Sequence, residues 1–465
     1  MLRYFRINDP YRLVGLLVLL LILYLPLFLD MPGLTVPELK GMVIGEKLNE
    51  DHDLYTGIAD NTAPLAAWFH ELVDSVFGRS LMARHIVAFI LIFLQGAYLG
   101  IMFIVRKVFN ENTYIPSLLF CLLCLFSYDT LTLSAELVGL TFLMLALNNM
   151  FKEIEFRVQR DETIFNLGLY ISIASLFSFA YVVFLLCVMV ILFFFTRTTP
   201  RKFMLLIFGF LLPHLVVISI GYLNGSLPQL WQYYYVANLI PSREVFISTH
   251  ALLVLGGVPL FYFIISVFML QREARFSKYQ SQLLQVMFLW IGFSLLYIFY
   301  CKDLRPQNLI VFAPALAFLF THFFLFIRRK KYAEMNIWLL IIGIVTVSYL
   351  ARYSKLDSAS YSLLTTPPVN DNAPKNKRIL VLEDNQAYFQ QNKLATPYLN
   401  WSLSEEIFRN PGYYENVTAV YHALKTDPPQ VIIDRENLMK PFFERMPEVK
   451  KQYRRMGDVY NKIDN

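Results

Sequence analysis

Among the acids that follow the first apolar run of this sequence, Glu38, Asp51, Asp53 and Asp60 are candidates for chemistry, with His52 between the middle two. Carboxylates with one imidazole suit a divalent cation. A solvated loop between two helices fits the same string. Glu38 stands three residues after Thr35. That is capping-box spacing, in which the acid reaches back to the cap amide. Much later, Lys302 and Arg305 share a short polar loop, Lys302-Asp303-Leu304-Arg305-Pro306-Gln307-Asn308. An Arg fork matches the geometry of a phosphate; the plainer alternative is a basic pair snorkelling at the end of a span. Trp231, Tyr233, Tyr234 and Tyr235 offer aromatic faces to an interfacial belt or to a sugar ring. His214 and Glu136 lie within or beside apolar runs, where an ionisable group suggests function by default, although the sequence names no partner for either.

The elements that must position these groups lie in a membrane. The chain has 465 residues, 56% of them hydrophobic and 16% charged, with a mean hydropathy of +0.47. A soluble protein of this size could hardly bury so much apolar surface. The net charge of +6 does not imply a nucleic-acid partner, because the basic residues stand at span ends rather than in one patch. The run from Val14 to Leu29 lacks a small-residue cleavage site and reads as a retained span. Cys121, Cys124, Cys187 and Cys301 all fall in or beside apolar runs and read as buried small hydrophobes.

About eleven spans are expected from length and hydropathy. The Arg-bearing amino end is placed in the cytoplasm. Basic loops at Lys152, Arg157 and Arg160, at Arg197, Arg201 and Lys202, at Arg272, Arg275 and Lys278, and at Arg328 to Lys331 mark the same side. The run from Ile164 to Thr196 has basic flanks at both ends, so it reads as two short spans meeting near Ser178. Residues 1–351 form the membrane domain and 352–374 a linker. Residues 375–465 form a small α/β domain on the outer side, with strands at Arg378 to Leu382 and Gln430 to Asp434, a helix near Lys440 to Met456, and an edge strand at Gly457 to Tyr460. It has no glycine-rich phosphate loop. Asn416-Val417-Thr418 is a glycosylation sequon that matters only in a eukaryotic secretory setting.

Between the first two spans, residues 30–84 read as an outer loop with two amphipathic helices. The first begins at Thr35 with Leu39, Met42 and Val43 on one face. The second begins near Asn61 or Thr62, with Pro64 in its first turn and Gly78 just past its end. Such helices lie in the membrane interface, so Trp68, Phe69, Leu72 and Val76 are expected to face the bundle or lipid, and His70 and Asp74 to face water.

The tail of this loop carries a family resemblance. Ala63-Pro64-Leu65, Phe77-Gly78 and the basic turn from Arg79 to Arg84 resemble the first loop and second span of GT-C membrane glycosyltransferases. Those enzymes take a sugar from a polyprenyl-phosphate carrier. The resemblance implies an all-α polytopic bundle with a small C-terminal α/β domain. It also implies a general base at Glu38, which takes the proton of the acceptor hydroxyl as the anomeric carbon is attacked with inversion. Lys302 and Arg305 would meet the carrier phosphate, and a divalent metal at Asp51, His52, Asp53 and Asp60 would neutralise it, with Asp60 near a second family acid. Apart from the resemblance, Trp231, Tyr233 and Tyr234 are candidates for an interfacial aromatic belt or for contact with the acceptor. The family pattern has an acidic pair where this chain has Pro37-Glu38. That departure supports the alternative of a catalytically degenerate scaffold, partnered with other membrane proteins in an envelope complex. A transporter fits less well, because few charges lie in the spans. The overall style also resembles inner-membrane proteins of Bacteroidota, which would make the outer side the periplasm.

Overall fold

The computed structural model describes residues 1–156, 161–196, 199–240, 243–273, 276–368 and 374–463. Arg157, Arg160, Arg197 and Arg275 of the basic loops, and residues 369–373 of the linker, lie outside them. The chain forms two compact units. A span unit comprises 1–33, 80–217 and 243–364; a sheet unit comprises 34–79, 218–242 and 365–465.

In the span unit each apolar run is helical. Among the described residues, seven helices are long and apolar enough to cross a membrane: Arg12–Leu29, Leu81–Val105, Ala135–Glu155, Pro200–Leu223, Lys278–Tyr300, Pro306–Phe326 and Lys330–Arg352. Thr249–Leu255 and the helix after Gly256 make an eighth, bent by 64°. The remaining expected spans are shorter: Ile115–Leu123 (9 residues), Asp161–Phe177 (17) and Val183–Phe195 (13). The chain is thus a multi-pass membrane protein, with seven or eight full-length helices and these three short ones among the described residues. Polar side chains cut the first short helix off. Thr130 Oγ1 donates to the carbonyls of Cys124 and Ser127, opening a 3-10 turn at Tyr128–Leu131. The other two meet at extended Ser178, as the charge pattern predicts.

Close packing in this unit relies on small residues. A Cβ on Gly168 would lie 2.1 Å from the Leu206 carbonyl oxygen, and one on Gly209 would lie 2.2 Å from that of Phe165. Asp161–Phe177 and Pro200–Leu223 therefore touch backbone to backbone, the usual means of helix association where no hydrophobic effect drives it.

The sheet unit has one mixed sheet. The short strands β1 (Glu244–Val245) and β2 (Asp303–Leu304) belong to the span unit. The five here are β3 (Arg378–Val381), β4 (Lys393–Leu394), β5 (Val431–Ile433), β6 (Tyr453–Met456) and β7 (Val459–Lys462). They lie in the order β4-β3-β5-β7-β6, parallel from β4 to β5 and antiparallel beyond. A strand alternates its faces, and both faces are covered. Leu380, Leu382 and Ile432 pack with Phe408, Phe442 and Phe443 of the C-terminal helices. Ile379, Val381, Val431 and Ile433 pack with Leu39, Val43, Ile44 and Leu48 of the first-loop helix Val36–Asn49. This explains the unbroken apolar runs in β3 and β5, which suit strands buried on both sides.

Two details differ from the sequence reading. The helix expected over Lys440 to Met456 stops early, at Met439–Arg445 and Pro447–Lys450, because Pro447 cannot continue it; Tyr453–Met456 is a strand. That strand, not Val459–Lys462, forms the edge.

Candidate functional site

The span unit holds the Lys302–Asn308 loop. The parallel pairing of β1 with β2 sets Arg243 and Lys302 side by side, one residue ahead of the paired strands. The Glu244 amide donates to the Lys302 carbonyl (2.9 Å), and Lys302 Nζ lies 3.6 Å from the Glu244 carboxylate. Arg305 is buried and donates to Glu136 at 2.5 Å. The Gln307 amide donates to Asp129 (2.8 Å), and its side chain donates to the Thr132 carbonyl (2.8 Å). Glu136 and His214 thereby gain the partners that the sequence could not name: Arg305 for the first, and the Ser175 hydroxyl (3.0 Å) for the second.

Below this loop lies an apolar cavity of about 470 Å³. Leu252, Leu260, Leu295, Phe299, Leu304 and Leu316 are among the side chains that line it, and among the described residues Arg243 is the one charged side chain in its wall. Arg243 is exposed and donates to the Ile298 carbonyl (3.0 Å). Nothing in the local sequence distinguishes Arg243 from other loop cations; only strand pairing brings it here.

The other expected site residues lie in the sheet unit. Thr35 caps Val36–Asn49, its hydroxyl accepting the Glu38 amide (3.3 Å), and Glu38 is buried in the first turn. Asp51, His52, Asp53 and Asp60 do not assemble into a metal site. Among the described residues no three His, Cys, Asp or Glu side chains form a group that could hold a metal ion. Asp51 and Asp53 are exposed. Asp60 is fully buried, and its carboxylate is taken up by Lys40 (2.8 Å), Asn400 (2.9 Å) and the Thr62 amide (3.0 Å). A charge buried so deeply needs such company. In the segment Trp231–Val236, Trp231 is exposed, Tyr233 is half-buried and Tyr234 is fully buried.

The second loop helix runs Pro64–Phe77 and ends at Gly78, whose φ of +55° suits glycine. Trp68, Leu72 and Val76 are exposed along one stripe, and Phe69 is half-buried. His70, however, is buried rather than facing water. It packs under Gly41, where a Cβ would lie 2.6 Å from its ring. Asp74 accepts the Asn49 amide nitrogen (2.9 Å). At the helix end Arg79 donates to the carbonyls of Phe389 (2.9 Å), Gln390 (3.1 Å) and Asn392 (3.0 Å), and pairs with Glu46.

A second cavity, about 420 Å³, opens within this unit beside an ion cluster. Lys47, Tyr55, Tyr233, Thr396 and Asp427 line it, as does His52. Lys47 is almost fully buried and pairs with Asp427, which also accepts Arg378 (2.8 Å) and the Thr396 amide (2.9 Å). Burial pushes the Asp427 carboxyl up, but Lys47, the Thr396 amide and Arg378 outweigh it and hold the carboxyl below its usual range. Glu50 behaves alike: burial raises it, and Lys393, Arg378 and Lys47 together bring it lower. Burial, aided by the Lys47 charge, lowers His52, so its ring is neutral at pH 7.

A family model described as a family of unknown function, DUF6427, matches residues 63–356. The chain belongs to this family. No curated protein matches it in sequence. Among solved structures, this DUF6427 chain is similar to ArnT from Cupriavidus metallidurans bound to undecaprenyl phosphate, at 11% identity and a TM-score of 0.56, over 97% of this chain and 98% of that one. The apo state of that ArnT gives 14% identity and a TM-score of 0.54, over 92% and 95%. The oligosaccharyltransferase of Archaeoglobus fulgidus, tethered to an acceptor peptide, aligns over 98% of this chain and 74% of its own, at 11% identity and a TM-score of 0.48. At such identities the ArnT likeness shows the fold alone. The DUF6427 chain has the GT-C membrane glycosyltransferase fold, as its first loop predicts.

Proposed function

We propose that this GT-C-fold membrane protein binds a polyprenyl-phosphate carrier in its span unit and transfers the attached sugar to an acceptor on the outer, periplasmic side of a bacterial inner membrane. The observation that carries this reading is the apolar cavity with Arg243 in its wall and the Lys302 loop beside it. An isoprenoid tail needs an apolar trough, and its phosphate needs a cation at the mouth. The solved relative ArnT holds undecaprenyl phosphate. Arg243 and Lys302 take the phosphate, while Arg305, paired with Glu136, holds the loop in place. In the transfer, the acceptor oxygen bonds to the anomeric carbon as the bond from that carbon to the phosphate oxygen breaks. The phosphate leaves with the electron pair, and the hydroxyl proton goes to a carboxylate base, the role that the family resemblance gives to Glu38.

Binding of undecaprenyl phosphate and of undecaprenol to the purified chain in nanodiscs tests the first half. Arg243→Ala should weaken the phosphate about tenfold and leave the alcohol unchanged. Leu253→Trp, which fills the cavity, should weaken both. Equal binding of the phosphate by wild type and both variants refutes the carrier site. A second reading, a degenerate scaffold, is favoured by Pro37 in place of the first family acid. Glu38→Gln decides between them. A transferase loses product while still binding carrier; a scaffold keeps full function in cells.

A further inference from the structure

We propose that the cavity beside Lys47 in the sheet unit is a second ligand site, one that binds a neutral saccharide. It is built from first-loop, Trp231–Val236 and C-terminal residues, all within one compact unit. It does not rest on the carrier site or on the transfer chemistry.

The polar atoms of the wall support this. Thr396 is fully buried, yet its hydroxyl has no hydrogen-bond partner among the described residues, and it lines the cavity. The side-chain oxygen of Gln229 is in the same condition. A buried polar group left unmatched is costly, so a ligand that pairs with it recovers that cost. Thr396 is also held at φ +67°, a region that β-branched residues rarely adopt. The Asp427 carboxylate anchors it there through the Thr396 amide. Strain of this kind persists only where the surroundings impose it, and it clusters at ligand sites.

The lining also sets the class of ligand. Its two ionised groups, Lys47 and Asp427, pair with each other, so the wall offers neither an anion nor a cation a counter-charge. His52 is neutral at pH 7 and can both donate and accept. Tyr233 and Tyr398 present rings with hydroxyl handles. Flat apolar faces beside scattered neutral donors and acceptors match a pyranose, which has C–H faces and an equatorial fringe of hydroxyls. The volume lies in the range of small-molecule pockets.

Saturation-transfer NMR on the full chain, in a detergent that contains no sugar, tests the proposal. The probes are maltose, cellobiose, mannobiose and diacetylchitobiose, with glucuronate and glucose 6-phosphate as charged comparisons. At least one neutral disaccharide should bind, with a Kd on the order of 1 mM. Thr396→Val and Tyr233→Ala should each weaken it about tenfold, about one hydrogen bond or ring contact. Thr396→Ser, which keeps the hydroxyl, should restore it, and Arg243→Ala should bind sugar as wild type does. A free glycan and a lipid-borne one share this chemistry. Tighter binding of an octyl glycoside than of the bare sugar assigns the lipid-borne form, and equal binding assigns the free form. The proposal is overturned if no neutral sugar binds, if both Thr396→Val and Tyr233→Ala bind like wild type, or if a charged probe binds more tightly than every neutral one.

Discussion

Single residues in this protein have their roles set by company that is distant in sequence. Glu136 and His214 look isolated along the chain, yet Arg305 and Ser175 meet them across packed helices. Asp60 looks like a ligand in an acidic loop, and Lys40 neutralises it instead. The Lys47–Asp427 pair leads to a pH prediction. The folded Asp427 titrates below its unfolded value of about 4. As pH falls, the unfolded chain takes up the proton first. The stabilisation is therefore complete above about pH 5 and is lost as pH falls through the folded value. Glu50 acts in the same direction. Thermal unfolding of the sheet unit, followed by limited proteolysis, should drop between about pH 5 and pH 3. Asp427→Asn should lower stability at pH 7 by about 3 kcal/mol, because it strands a buried Lys47, and should flatten the acid dependence.

Among the elements, the helix Val36–Asn49 does most to complete the sheet unit. Its capping Thr35 and apolar face are legible locally. That the face covers β3 and β5 is not, because a strand pattern shows that both faces are buried without showing what buries them. Val43→Asp would put a charge against Ile379 and Val431. We expect a loss of about 3 kcal/mol or more in the sheet unit, read as protease cleavage near residues 380–433 with the span unit intact. In the span unit, Gly168→Leu should separate Asp161–Phe177 from Pro200–Leu223. The expected result is a lower melting temperature in detergent, which Gly→Ala at the exposed Gly412 would not reproduce. An unchanged melting temperature for Gly168→Leu would refute the backbone-to-backbone contact.

For the whole molecule, the basic loop ends imply an orientation. Lys152, Lys202, Arg272 and Arg328 should all lie on the cytoplasmic side, and the strands from Arg378 onward on the other. Single cysteines placed at Lys152 and at Glu405, in a background without native cysteines, should label oppositely in intact cells with a membrane-impermeant maleimide. If Glu405 is labelled only after the inner membrane is breached, the proposed orientation fails. Three of the expected spans are short helices, so sidedness depends on whether each crosses, dips in or pairs with its neighbour. Charge at the loop ends is therefore a better guide to sidedness than a count of helices.

The sequence by itself determined the membrane class, the two loop helices, the break at Ser178, both central strands of the C-terminal sheet and, through the first loop, the GT-C fold. These are local: hydropathy, capping and turn chemistry act within a few residues of where they are written. Tertiary structure alone decided which cation borders the apolar cavity, that Asp60 is an ion-pair member, that His70 is buried, and that Lys47, His52, Tyr233 and Thr396 line one cavity. Each of these depends on a partner tens to hundreds of residues away. A charged or polar side chain looks the same in sequence whether it meets solvent, a ligand or a buried counter-charge, and only the packing that sets its desolvation and its neighbour distinguishes them.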